Sequence, residues 1–136
     1  MPNHYHLIVQ ETQENGLSKF MSRFGNSYTK YFNLRHKRSG YLFSSHFHKI
    51  LVDTNDYLLH LSAYAHRNPR ELAGWRGSEH KYLWSSYQDY IGENRFGLFL
   101  NRTVILDQFS NPDEYYDFVK SSKAKDHEDI LVNLPG

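Results

Sequence analysis

Two H-x-H pairs, His4/His6 and His46/His48, are the first residues in this chain whose type and spacing could do chemistry. His4 to Gln10 reads as a strand, with Tyr5, Leu7 and Val9 alternating against His4, His6, Ile8 and Gln10, so the two imidazoles share a face roughly 7 Å apart. At that separation they can lean onto one divalent cation. The second pair lies in a basic stretch with no carboxylate nearby and reads as a polar surface facing phosphate or solvent. A further pair of polar groups comes from a helix expected to start after Asp53 or Thr54, either of which can cap it, and to run to about Arg67. Tyr57, Leu61, Tyr64 and Asn68 fall on one stripe of it, with Tyr64 and Asn68 as i, i+4 neighbours. In isolation such a tyrosine is a half-buried core group and such an asparagine a helix cap. Joined to His4 and His6 they form another set: two imidazoles and an amide oxygen that leave metal positions open for phosphate oxygens, and a phenol as nucleophile.

The rest of the chain must position that set. Leu17 to Leu34 has the clearest helical periodicity, with Leu17, Phe20, Met21, Phe24, Tyr28, Tyr31 and Phe32 expected against a core. Lys19, Arg23, Asn26 and Lys30 form another stripe on it. Arg35 to Gly40 is a basic loop, and Tyr41 to Val52 has extended character. Asn68 precedes Pro69, which biases it away from further helix. Lys81 to Tyr90 reads as an aromatic turn or short helix, Pro112 to about Lys123 as a last helix, and Lys123 to Gly136 as a tail. The expected domain is residues 1–122, with 123–136 as the tail.

Composition narrows the function classes. The 136 residues suffice for one domain, and 16% aromatics supply core area although only 39% of the residues are hydrophobic. With no cysteine there is no disulfide scaffold, thiolate zinc finger or thiol catalysis. The longest apolar runs are about five residues, too short to span a bilayer, and no leader pattern opens the chain. A cytoplasmic protein is the expectation. The net charge of +1 hides a division. From Asn15 to Val52 there is no acid, but there are Lys19, Arg23, Lys30, Arg35, Lys37, Arg38 and Lys49, interleaved with Tyr28, Tyr31, Phe32, Tyr41, Phe43 and Phe47. Cations for phosphates and rings for unstacked bases suit single-stranded nucleic acid, while the same charges also suit a solvated surface.

Three segments in order, "MPNHYHLIV", "YAHRNP" and "YLWSSYQDY", resemble the REP-associated tyrosine transposases. These belong to the single-tyrosine branch of the HUH (His-hydrophobe-His) endonucleases. The resemblance runs from Met1 to about Tyr90 and more weakly beyond. It implies an α/β (α+β) fold, a ferredoxin-like antiparallel sheet with helices on one face. Position by position it implies His4, His6 and Asn68 as ligands of Mg²⁺ or Mn²⁺, and Tyr64 as the nucleophile that leaves a 5′-phosphotyrosine and a 3′-hydroxyl. Lys19, Arg23, Lys30, Arg35, Lys37 and Arg38 would hold the backbone of single-stranded or hairpin DNA. Trp84, Ser85 and Ser86 belong to the family signature and are expected to pack. Tyr5, in the middle HUH position, departs from the pattern by its bulk. The family also has some fifty residues before the HUH strand, so the chain reads as N-terminally truncated, with an open sheet edge that a second copy could cover as a homodimer. The alternatives are a catalytically inactive DNA-binding remnant and, more distantly, an unrelated metal-dependent hydrolase that does not use Tyr64.

Overall fold

A computed structural model describes residues 1–123, and every element among them is helical. The chain forms two compact units, one of Met1–His6 with Ile50 onward, the other of Leu7–Lys49. Residues 124–136, nearly all of the expected tail, lie outside the described residues.

In the first unit, α2 (Asn55–Arg67) begins at Thr54, whose side chain accepts from the Tyr57 amide at 3.2 Å. This meets the expected helix almost to the residue, because a hydroxyl cap satisfies an amide that the first turn leaves unpaired. Asn68 does not turn away from helix before Pro69. Its φ of −52° and ψ of −39° continue the chain into a 3-10 turn, Asn68–Glu71. Pro69 stands in the first positions of that turn, where its missing N–H costs nothing. Three more helices follow: α3 (Tyr87–Ile91), α4 (Thr103–Leu106), which the periodicity does not reveal, and α5 (Pro112–Ser121). Asn111 caps α5 by accepting from the Glu114 amide at 2.9 Å.

Helices α2 and α3 both pack on α5. The core between them consists of Ala63, Tyr87, Tyr90, Ile105, Tyr115 and Val119. Three of these six are tyrosines, so the core needs polar partners inside it as well as apolar area. Behind it, Asp89, wholly buried, receives Arg95 through Nε at 2.8 Å, Nη2 at 2.6 Å and the Arg95 amide at 2.9 Å. Arg95 Nη2 also donates to the Ser85 carbonyl at 3.0 Å, and Arg102 donates to the carbonyls of Asp89 and Gly92. Together these contacts pin the segment from Ser85 to Arg95.

In the second unit, α1 (Gly16–Arg35) covers the expected helix with one residue added at each end. It ends in a Schellman motif: Arg38 N–H donates to the Asn33 carbonyl at 3.0 Å, and Lys37 takes the left-handed position with φ 49°. The rings of α1 do not sit in a core as the periodicity suggests. Only Met21 is buried, and Phe20, Tyr28 and Tyr31 are 40%, 44% and 60% exposed. They stack instead along the helix, Phe20 on Phe24 at 5.9 Å and Phe24 on Tyr28 at 6.3 Å, with Phe43 at 6.2 Å from Tyr28.

The ferredoxin-like antiparallel sheet is overturned: no strand occurs among the described residues. Residues 4–10 are irregular, and Tyr5, Leu7, Ile8 and Val9 are 40–49% exposed. Alternation supplies only the capacity to be a strand. A ladder also needs a second backbone in register, and the other extended segment, Tyr41 to Val52, is a run of bends and coil.

Candidate active site

Within the first unit, the His4 and His6 rings meet edge to face at 5.1 Å, and His6 meets the ring of Tyr64 in the same way at 5.6 Å. His6 then lines a small open cleft, about 80 Å³, together with Asn68, Ser85, Ser86 and the edge of His66. Such a volume has room for two or three waters, or for one polar group of a larger ligand. Asn68 is only 4% exposed, and its Nδ2 is buried with no hydrogen-bond partner. A buried amide N–H without a partner costs stability.

His4 has the bonding of a prospective ligand. Its Nδ1 lies 2.9 Å from Asn3 Oδ1, an atom that only accepts, so Nδ1 carries the proton and Nε2 the lone pair. Among the described residues no group of three or more His, Cys, Asp or Glu could hold a metal. Of the residues that the sequence offers as ligands, His4 and His6 touch through their rings, and Asn68 shares the lining of the cleft with His6.

Under the cleft runs a chain of hydrogen bonds that sequence patterning alone does not reveal. Ser62 Oγ donates to the Leu59 carbonyl at 2.8 Å, Tyr115 OH donates to Ser62 Oγ at 3.1 Å, and His66 Nδ1 lies 2.7 Å from Tyr115 OH. His66 Nε2 is 2.9 Å from Ser86 Oγ. The imidazole is stacked on Tyr87 at 5.0 Å and edge-on to Tyr90 at 4.8 Å. Burial lowers its pKa to about 3 although Asp89 pulls it upward, so the ring is neutral at physiological pH. Burial likewise pushes the Tyr115 phenol well above its ordinary range. The one signal for this chain lies in the helix pattern. Leu59, Ser62, Ala63 and His66 fall at i, i+3, i+4 and i+7, and two small residues in that stripe mark a close approach. Ser86, expected only to pack, is half-buried and bonded to His66.

The expected DNA contacts all lie in the second unit. Lys19, Arg23, Lys30, Arg35, Lys37 and Arg38 are all exposed. Arg38 is partly committed to its own loop, with Nη2 donating to the Tyr41 carbonyl at 2.9 Å and the guanidinium 5.7 Å from the Phe32 ring centre. His46 and His48 are exposed. Among the described residues no helix is long and apolar enough to cross a membrane. No family model, no curated protein and no solved structure matches this chain.

Proposed function

We propose that the chain is a transposase-type DNA endonuclease and strand transferase acting on single-stranded or hairpin DNA, as its likeness to the REP-associated tyrosine transposases implies. The observation that carries the reading is the cluster in the first unit: His6 against the ring of Tyr64, and His6 and Asn68 on the walls of one cleft. His4, His6 and Asn68 would hold Mg²⁺ or Mn²⁺, which when bound supplies Lewis-acid polarisation of the scissile phosphate. The Tyr64 hydroxyl gives its proton to water as its oxygen attacks phosphorus, the bond to the 3′ oxygen breaks, and that oxygen takes up a proton from water. The products are a 5′-phosphotyrosine and a 3′-hydroxyl, and the retained ester energy allows rejoining. The exposed cations and rings of α1 contribute the affinity for the strand. A binding-only role has one observation in its favour, since His4 and His6 stand on an irregular segment that no ladder holds.

The test is a covalent adduct. With labelled single-stranded or hairpin DNA and Mn²⁺ or Mg²⁺, the unmodified chain should give a denaturation-resistant protein–DNA band. Tyr64→Phe should give none, while its melting temperature and DNA affinity stay nearly unchanged. An adduct of undiminished yield with Tyr64→Phe would remove Tyr64 from the reaction. Binding that survives EDTA, with no adduct from either protein, would establish the binding-only role instead.

A further inference from the structure

The hydrogen bonds under the cleft can run in only one direction. Ser62 gives its single proton to the Leu59 carbonyl, so it must accept from Tyr115. Tyr115 thereby commits its own proton to Ser62 and must accept from His66 Nδ1. His66 is therefore the Nδ1–H tautomer, and its Nε2 is a lone pair that can only accept from Ser86. The Ser86 hydroxyl is fixed as a donor toward the interior, which leaves its oxygen with lone pairs alone for the cleft. Asn68, whose buried Nδ2 has no acceptor, lines the same cleft. An acceptor-only oxygen in the wall of a small polar cleft complements a group that donates to it, and a hydroxyl is one that fits the space.

We propose that Ser86 is a positioning residue whose Oγ accepts a hydrogen bond from the 3′-terminal hydroxyl of a single DNA strand, holding that end in the cleft beside His6 and Asn68. The inference rests on the reading of Tyr64 as a strand-cleaving nucleophile, because cleavage is what creates a 3′-hydroxyl at this place. It adds what the resemblance does not assign: a residue that keeps the released end in reach for rejoining, and a role for the buried tyrosine–histidine pair. His66 and Tyr115 set the polarity of Ser86 and do not touch the strand.

Binding of short oligonucleotides tests this without cleavage. Two otherwise identical single strands, one ending in a 3′-hydroxyl and one in a 3′-deoxy terminus, are titrated into the full chain. The unmodified protein should prefer the hydroxyl strand by about threefold to tenfold, the worth of one neutral hydrogen bond. Ser86→Ala should abolish the preference, and Ser86→Thr, which keeps the oxygen, should restore most of it. Long-range ¹H–¹⁵N correlation of the His66 ring should report the Nδ1–H tautomer. Equal affinity of the unmodified protein for the two strands, a preference that persists in Ser86→Ala, or an Nε2–H tautomer would each overturn the proposal. A Tyr64 adduct formed by a protein with no 3′ preference would leave the nuclease reading standing and remove this one. Failure to bind either strand would remove both.

Discussion

The two units treat most of their tyrosines in opposite ways. In the unit of α2, Tyr87, Tyr90 and Tyr115 are at most 6% exposed, and the Tyr115 hydroxyl is held between Ser62 and His66. In the unit of α1, Tyr28 and Tyr31 are 44% and 60% exposed and have cations as sequence neighbours rather than a core. The same residue type therefore serves as structural polar core in one region and as accessible ring surface in the other. Partner supply makes the difference. Helix α2 offers small residues and a histidine at core spacing, and α5 closes over them. Helix α1 offers lysines and arginines, which remain solvated and keep the rings beside them near water.

This comparison breaks most easily at His66. His66→Ala leaves a void and removes the partners of both Tyr115 and Ser86, so it should cost about 2–5 kcal/mol in chemical denaturation. Tyr115→Phe, which leaves His66 Nδ1–H without an acceptor and takes from Ser62 the donor it accepts, should cost about 1–3 kcal/mol. Tyr31→Phe on α1 should stay within about 0.5 kcal/mol. Comparable losses for Tyr115→Phe and Tyr31→Phe would show that the buried hydroxyl carries no special stability.

The reverse experiment concerns binding. Neutralising Lys19, Arg23 and Lys30 together should weaken single-stranded DNA binding for every sequence alike. It should also flatten the slope of log affinity against log salt by about 2, since each phosphate that a cation neutralises contributes about 0.7. Tyr31→Ala should lose affinity with the slope unchanged, since stacking releases no counterions. None of these changes should move the denaturation midpoint as far as Tyr115→Phe does. An unchanged salt slope after the triple substitution would separate α1 from DNA binding.

How far the sequence can be read follows the same division. Helical limits are legible wherever a cap or a break in periodicity marks them, as at Thr54 and Asn111. The stripe of Tyr64 and Asn68 is legible because i, i+4 spacing is a local property. The sheet is not, because Tyr5, Leu7 and Val9 report what a strand needs on one side and nothing about the backbone it needs on the other. His66 escapes notice for a different reason. A histidine beside small residues reads as polar surface until α5 is known to bring Tyr115 over it, across 49 residues of sequence.

A smaller effect is expected at Asp89, where pH can probe the clamp behind the core. Hydrogen bonding from Arg95 holds the Asp89 carboxyl below the usual carboxylate range, with burial opposing. Arg102 reaches the Asp89 carbonyl, and His66 feels the same carboxylate. The folded form thus binds fewer protons than the unfolded chain near pH 4. The contribution is complete above about 3.9 and is lost as pH falls through the lowered folded value. Asp89→Asn should be less stable than the unmodified chain at pH 7, and the gap should narrow below about pH 4. Stability curves that stay parallel from pH 7 to pH 2 would show that the carboxylate charge is not what Arg95 stabilises.

Another small effect is expected at Lys37, where the two demands on α1 meet in one residue. The left-handed φ of 49° at the end of α1 suits glycine, and a lysine there is strained by its own Cβ. Lys37→Gly removes the strain, although glycine also loosens the unfolded chain, so stability should rise by about 0.5–1 kcal/mol. If the side chain contacts a phosphate, the same change should reduce the salt slope of DNA binding by about 0.7. A gain in stability together with a shallower slope would mean that α1 keeps a strained terminus for the sake of a charge. A gain in stability with an unaltered slope would make Lys37 an ordinary helix end and confine the DNA contacts to Lys19, Arg23, Lys30, Arg35 and Arg38.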